Sequence, residues 1–198
     1  MKRILLYILI NVVFLNVVVS QERVYNVFFL GNKIGEVLVN KQVENNKRIY
    51  FFNSKTDFQY LFVKMKTKAT TDLVYENDVL LEANVLRIKN EEKEELNYRF
   101  KNKKYIVSGK KEDYYIDKKI KYCTANFFFE EPVNVEEVFV ERFDYFVKII
   151  NLGNHQYKTY VDGGTNVYTY KNGVLQGVVS KKGLSIQIKL ATIKKNIK

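Results

Sequence analysis

From Val63 to Leu73 the odd positions are apolar or small and the even ones mostly charged or polar: Val63-Lys64-Met65-Lys66-Thr67-Lys68-Ala69-Thr70-Thr71-Asp72-Leu73. Side chains of an extended chain alternate between two faces, so this period predicts a strand with one dry and one wet face. Leu96, Tyr98 and Phe100, set between Glu95, Asn97, Arg99 and Lys101, predict a second strand. Leu184, Ile186, Ile188 and Leu190, set between Ser185, Gln187 and Lys189, predict a third. Short turn signals separate such runs: Gly31-Asn32-Lys33, Asn45-Asn46-Lys47, Glu76-Asn77-Asp78, Asn102-Lys103-Lys104, Asp162-Gly163-Gly164 and Lys171-Asn172-Gly173. Each offers a Gly or Asn for the tight backbone of a hairpin, and Asn172-Gly173, between Val167–Tyr170 and Val174–Val179, is the clearest. Turns this short make sequence neighbours pair antiparallel, because a parallel pair needs a long crossover. The expected fold class is therefore mainly β, an antiparallel meander of about ten strands in a strongly curved sheet or open barrel, the size at which a flat sheet curls.

Between Tyr114 and Phe146 the alternation breaks and no good hairpin turn occurs. Ile116, Ile120, Cys123 and Phe127 recur at helical spacing ahead of Phe128-Phe129-Glu130-Glu131-Pro132. Pro132 is the only proline; it lacks an amide donor and restricts Glu131, which ends a helix. The spacing predicts a short helix at roughly 117–130. An irregular or helical stretch over 133–141 is expected to follow, so that an insert near 117–141 plugs or covers the concave side of the sheet.

The chain opens on Met1, Lys2 and Arg3, runs from Ile4 to Val19 with Asn11 and Asn16 as its strongly polar interruptions, and turns charged at Gln21-Glu22-Arg23. With Val18 and Ser20 as compact side chains before the Ser20/Gln21 bond, this is the pattern of a signal peptide over residues 1–20, cleaved after Ser20. A retained anchor needs about 20 predominantly apolar residues, and this run is shorter. The expected address is outside the cytoplasm, periplasmic or secreted, without a transmembrane anchor after cleavage. Residues 21–198 have the length of a single all-β domain.

Composition narrows the picture. Cys123 is the only cysteine, so no internal disulfide can hold the fold and burial must do so. The formal charge of +11 invites a polyanion partner, and it loses only Lys2 and Arg3 with the signal peptide. Yet 27 of the 33 basic residues are Lys, which also make a solvated face and blunt exposed strand edges. The 15 Tyr and 14 Phe could stack bases, but both residue types favour strands and need no ligand to explain them. Nucleic acid is a poor partner for an exported protein; anionic lipid or envelope polysaccharide stays open.

The chain resembles an uncharacterised, domain-of-unknown-function family of exported β-proteins common in Bacteroidota. Four stretches carry the likeness: Phe29-Leu30-Gly31-Asn32-Lys33-Ile34-Gly35-Glu36, Phe128-Phe129-Glu130-Glu131-Pro132, Val138-Phe139-Val140-Glu141-Arg142-Phe143 and Tyr168-Thr169-Tyr170-Lys171-Asn172-Gly173. Val140 and Asp144 stand where the resemblance leads one to expect Ser and Gly. The resemblance implies an exported address and a β fold, and no activity.

No set of residues amounts to a catalytic or metal site, and no cofactor motif is present. His155, the only histidine, sits in a turn signal, Leu152-Gly153-Asn154-His155-Gln156, and a general base needs a partner and a pocket. Cys123 on an apolar face reads as a small hydrophobe, or as a nucleophile if His155 approached it. Glu130, Glu131, Glu136, Glu137, Glu141 and Asp144 form the densest run of carboxylates, a solvated face unless two meet across a cleft. The candidate ligand-binding residues are Tyr122, Phe129, Glu131, Pro132, Glu141 and Arg142. The expected function is non-catalytic binding of an apolar or amphipathic ligand such as a lipid. Two alternatives are an envelope structural or partner-binding protein with a basic anion-docking face, and a carboxylate-dependent hydrolase using Glu131 and Glu141. Nothing in the sequence indicates an oligomeric state.

Overall fold

A computed structural model of the chain describes residues 19–60 and 63–197. The expected signal peptide lies outside them apart from Val19 and Ser20, which open the strand β1 (Val19–Phe29). Two groups of strands flank the insert. β2 (Asn32–Glu44), β3 (Lys47–Tyr60), β4 (Val63–Glu76), β5 (Val79–Lys89), β6 (Glu92–Lys101), β7 (Lys104–Ser108) and β8 (Tyr114–Ile116) precede it. β11 (Ile150–Gly153), β12 (Gln156–Val161), β13 (Gly164–Lys171), β14 (Val174–Lys182) and β15 (Leu184–Ile197) follow a small hairpin of β9 (Glu137–Val140) and β10 (Tyr145–Lys148). The meander is as expected, with fifteen strands among the described residues where the sequence pattern indicated about ten.

The turns follow their chemistry. Asn77 and Asp78, Asn102 and Lys103, and Asn172 and Gly173 all take positive φ, between 48° and 72°. Two successive left-handed residues give a hairpin the twist its strands need, and Asn and Gly accept that backbone at least cost.

Among the described residues one antiparallel sheet of thirteen strands runs in the order β11-β12-β13-β14-β15-β1-β2-β3-β4-β5-β6-β7-β8. The first strand therefore sits between β2 and the last: Tyr25 faces Val37 on one side and Leu190 on the other. The sheet stays open, with β8 and β11 as its two edges. The chain between those edges is the insert, and its 3-10 turn (Thr124–Phe128) packs against β3, β14 and β9.

The helix expected at roughly 117–130 does not form; only Thr124–Phe128 turn, as a 3-10 segment. Tertiary partners take the bonds a helix would have used. The Ile120 amide donates to the Tyr105 hydroxyl at 3.1 Å, and its carbonyl accepts the Leu80 amide at 2.9 Å. Asn126 accepts the Cys123 amide through its side chain at 2.7 Å, which caps the short turn. Phe127, Phe128 and Phe129 are all buried, so three consecutive side chains need covering, and one amphipathic stripe cannot do that. The stretch over 133–141 is likewise partly strand: Phe139 faces Phe146 and Val140 faces Tyr145 in the β9–β10 hairpin.

Tyrosines dominate the core. Tyr25, Tyr50, Tyr75, Tyr98 and Tyr105 are fully buried and point inward from β1, β3, β4, β6 and β7, and Tyr157, Tyr168 and Tyr170 do so from β12 and β13. An irregular segment inside a core brings backbone carbonyls that need donors, and tyrosine supplies an apolar ring with a donor at its tip. Tyr170 donates to the Phe127 carbonyl at 2.8 Å, Tyr25 to that of Phe128 at 3.2 Å, and Tyr98 to that of Glu141 at 2.6 Å. Arg23 adds a bond to the Phe128 carbonyl at 2.5 Å, and Tyr75 holds the Asn126 side chain at 2.8 Å. The sheet thus grips the insert through phenol hydroxyls. Replacing Tyr170 with Phe is expected to cost about 1 kcal/mol, read as a lower urea midpoint at constant slope. An unchanged midpoint would mean that the Phe127 carbonyl finds another donor.

Candidate functional site

Glu141 follows β9 and is buried, 4% exposed, inside the insert. Its Oε2 accepts the Thr124 amide at 2.9 Å and the Thr124 hydroxyl at 2.7 Å, and its Oε1 accepts the Ala125 amide at 3.3 Å. The carboxylate thereby caps the first amides of the 3-10 turn, whose orphan donors need an acceptor. Burial pushes the carboxyl above its ordinary value, and the bonds from Thr124 and Ala125 oppose that rise without cancelling it.

Beside Glu141 a cleft of about 170 Å³ opens between the insert and the concave face of β3, β4 and β5. Phe52, Ala69, Val85 and Phe128 give it apolar walls, while Arg87 and Arg142 bring cations to it. Arg87 comes from the inward face of β5, where register sets it opposite Ala69 on β4 and Glu94 on β6. Its Nη1 donates to both Glu94 oxygens at 3.3 Å, and Arg142 donates to Glu94 Oε2 at 3.4 Å. Burial, then the neighbouring charge of Arg87, holds the Arg142 guanidinium below its ordinary value.

Beyond the part that the insert covers, the concave face carries small side chains. Register sets Ser54 beside Ala69 and Thr56 beside Thr67, and all four are only partly buried. Thr67 Oγ1 is covered and has no hydrogen-bond partner among the described residues. Ile186 and Ile188 of β15 flank the same face next to Phe29 and Val27.

On the other side of the insert, Glu130 accepts Lys41 Nζ at 2.5 Å and the Tyr50 hydroxyl at 2.7 Å, with Arg48 at 3.9 Å. Burial pushes this carboxyl up, but those donors and the charges of Lys41 and Arg48 outweigh it and hold it below its ordinary value. Glu131 Oε1 accepts the Tyr157 hydroxyl at 2.8 Å and lies 2.8 Å from His155 Nδ1. Burial, with the Glu131 bond, raises the Tyr157 phenol to about 12. His155 therefore has a carboxylate neighbour, although its side chain is 64% exposed.

Of the six residues singled out in the sequence, Glu141 and Arg142 meet at one cleft. The Tyr122 hydroxyl donates to the Glu130 carbonyl at 2.7 Å, its ring packs edge-on to Phe127, and the residue also lines a depression of about 680 Å³. Phe129 is core, packed between Tyr50 and the Arg23 guanidinium. Pro132 lines a separate depression of about 590 Å³ together with Tyr157, next to the Glu131 group. Glu131 and Glu141 thus belong to different hydrogen-bond networks. Cys123 is fully buried, and burial together with the Glu141 charge pushes its thiol well up. Among the described residues no three His, Cys, Asp or Glu side chains gather as metal ligands. Lys64, Lys66 and Lys68 share the convex face of β4, where they line a depression of about 500 Å³ with Ile88.

Sequence reading missed Arg87, Glu94, Thr124 and Ala69. The inward position of Arg87 was recoverable, because it stands two residues past Val85 on the dry face of β5.

No curated protein and no solved structure matches the chain. A family model does match, over residues 25–191, a span that takes in the inner strands, the insert and both arginines of the cleft. By that match the chain belongs to the DUF6134 family, a domain of unknown function.

Proposed function

We propose that this is an exported, non-catalytic binding protein that holds an apolar or amphipathic ligand on the part of its concave face beside the insert. The strip of small residues Ser54, Thr56, Thr67 and Ala69 carries this reading, because it leads into the cleft walled by Phe52, Val85 and Phe128. Small side chains on a curved sheet leave depth where tyrosines elsewhere fill it. Ligand sites are concave, mostly apolar and furnished with a few polar groups, which here are Arg87, Arg142 and Glu141. The insert acts as a fixed partial plug, so the ligand lies beside it and leaves the tyrosine-lined interior intact. Export is part of the reading and rests on the charged start and apolar run of residues 1–20.

A neutral environment-sensitive dye, N-phenyl-1-naphthylamine, tests it. The full chain is expected to enhance and blue-shift the dye's emission, and Ala69→Trp, which fills the strip, is expected to weaken binding about tenfold, the equivalent of roughly 1.4 kcal/mol. No enhancement, or equal binding by the folded variant, would refute the concave-face reading.

A further inference from the structure

We infer that the ligand is a single-chain amphiphile with a carboxylate head, a long-chain fatty acid, whose head is taken by Arg87 and Arg142. This rests on the concave-face reading above and adds the chemistry of the ligand.

The two arginines at the cleft are weakly paired. Arg87 and Arg142 share one carboxylate, Glu94, through bonds of 3.3 to 3.4 Å, long for a charge-assisted pair. Glu94 is 57% exposed while Arg87 is 15% exposed, so the shared anion sits at the wet rim and a cation sits inside. The other carboxylates nearby are committed. Glu141 is occupied by Thr124 and Ala125, and Asp162, close enough to act on Arg142, is bound by Lys182 at 2.6 Å. Two guanidinium groups beside apolar walls, with one loosely held counter-ion, are complementary to a second carboxylate. The planar guanidinium fork matches the two oxygens of such a head.

The space selects one chain. A cleft of about 170 Å³ is below the roughly 300 Å³ at which drug-sized pockets begin, so it accepts a compact head and leaves the chain outside. From Thr71 to Met65 the inward side of β4 gives the chain a bed about 20 Å long at the rise of a strand. Ala69 and Thr67 form the floor of that bed, with Ser54 and Thr56 alongside.

Direct titration of the full chain with palmitate and with hexadecanol, below their aggregation concentrations, decides the matter. Palmitate is expected to bind about tenfold tighter than the alcohol, a preference that Arg142→Gln removes. Glu94→Gln, a change at the exposed rim, is expected to tighten palmitate binding several-fold by removing the competing anion. Acetate is expected to compete only weakly. Equal affinities for acid and alcohol, with both variants silent, would overturn the head assignment and leave the concave-face reading standing. Binding of neither would overturn both, and full competition by acetate would overturn the chain.

Discussion

Phe127→Ala is expected to lower the unfolding free energy by about 3–5 kcal/mol, the range for an aromatic removed from a core. Phe127 is fully buried in the insert, stacked on Tyr168 with ring centroids 4.0 Å apart and edge-on to Tyr122 at 5.4 Å. Its loss empties the middle of the plug, where the surrounding rings belong to different strands and cannot all move in together. Its backbone carbonyl still accepts Tyr170, so the change reports packing separately from the hydroxyl grip. Urea unfolding measures it, and a loss under about 1 kcal/mol would mean that the insert is not the centre of the core.

Glu141 is the second site of large effect. Glu141→Ala strands two amides and a hydroxyl without an acceptor, and at about 1–3 kcal/mol for each buried donor a loss of at least about 3 kcal/mol is expected. Glu141→Gln keeps the shape and removes the titration. The carboxyl is raised above its ordinary value of 4.5, so the folded state binds this proton more tightly than the unfolded chain does. Stability from this group is then fully present below 4.5 and declines as pH rises through the raised value. The glutamine variant lacks that decline, so its stability relative to the parent is expected to improve as pH rises across the window. A slope of opposite sign would show that the three donors outweigh burial.

The strand pattern was legible because alternation is a local property. β4, β6 and β15 coincide with the three clearest alternating runs, and Asn172 and Gly173 adopt the left-handed pair their chemistry favours. The insert was located correctly and its conformation misread. Ile116, Ile120, Cys123 and Phe127 do share helical spacing, but Ile120 and Cys123 are buried by partners on distant strands while the backbone from 117 to 122 stays irregular. In the cleft, Glu141 and Arg142 stood out as members of a charged run. Their neighbours did not: Glu94 lies 48 residues from Arg142 along the chain, and no local pattern links the two. His155 and Glu131, 24 residues apart, were likewise invisible as a pair.

By itself the sequence determined which face of β4, β6 and β15 turns inward and that neighbouring strands pair, since both follow from the two-residue period and from turns too short for any crossover. Only the tertiary structure decided that β1 lies between β2 and β15, that the sheet stays open, and that the insert is a 3-10 turn held from outside. The physical reason is where the hydrogen-bond partners come from. A strand finds its own through the adjacent hairpin, whereas the carbonyls of Phe127, Phe128 and Glu141 are satisfied by Tyr170, Tyr25 and Tyr98, between 43 and 103 residues away.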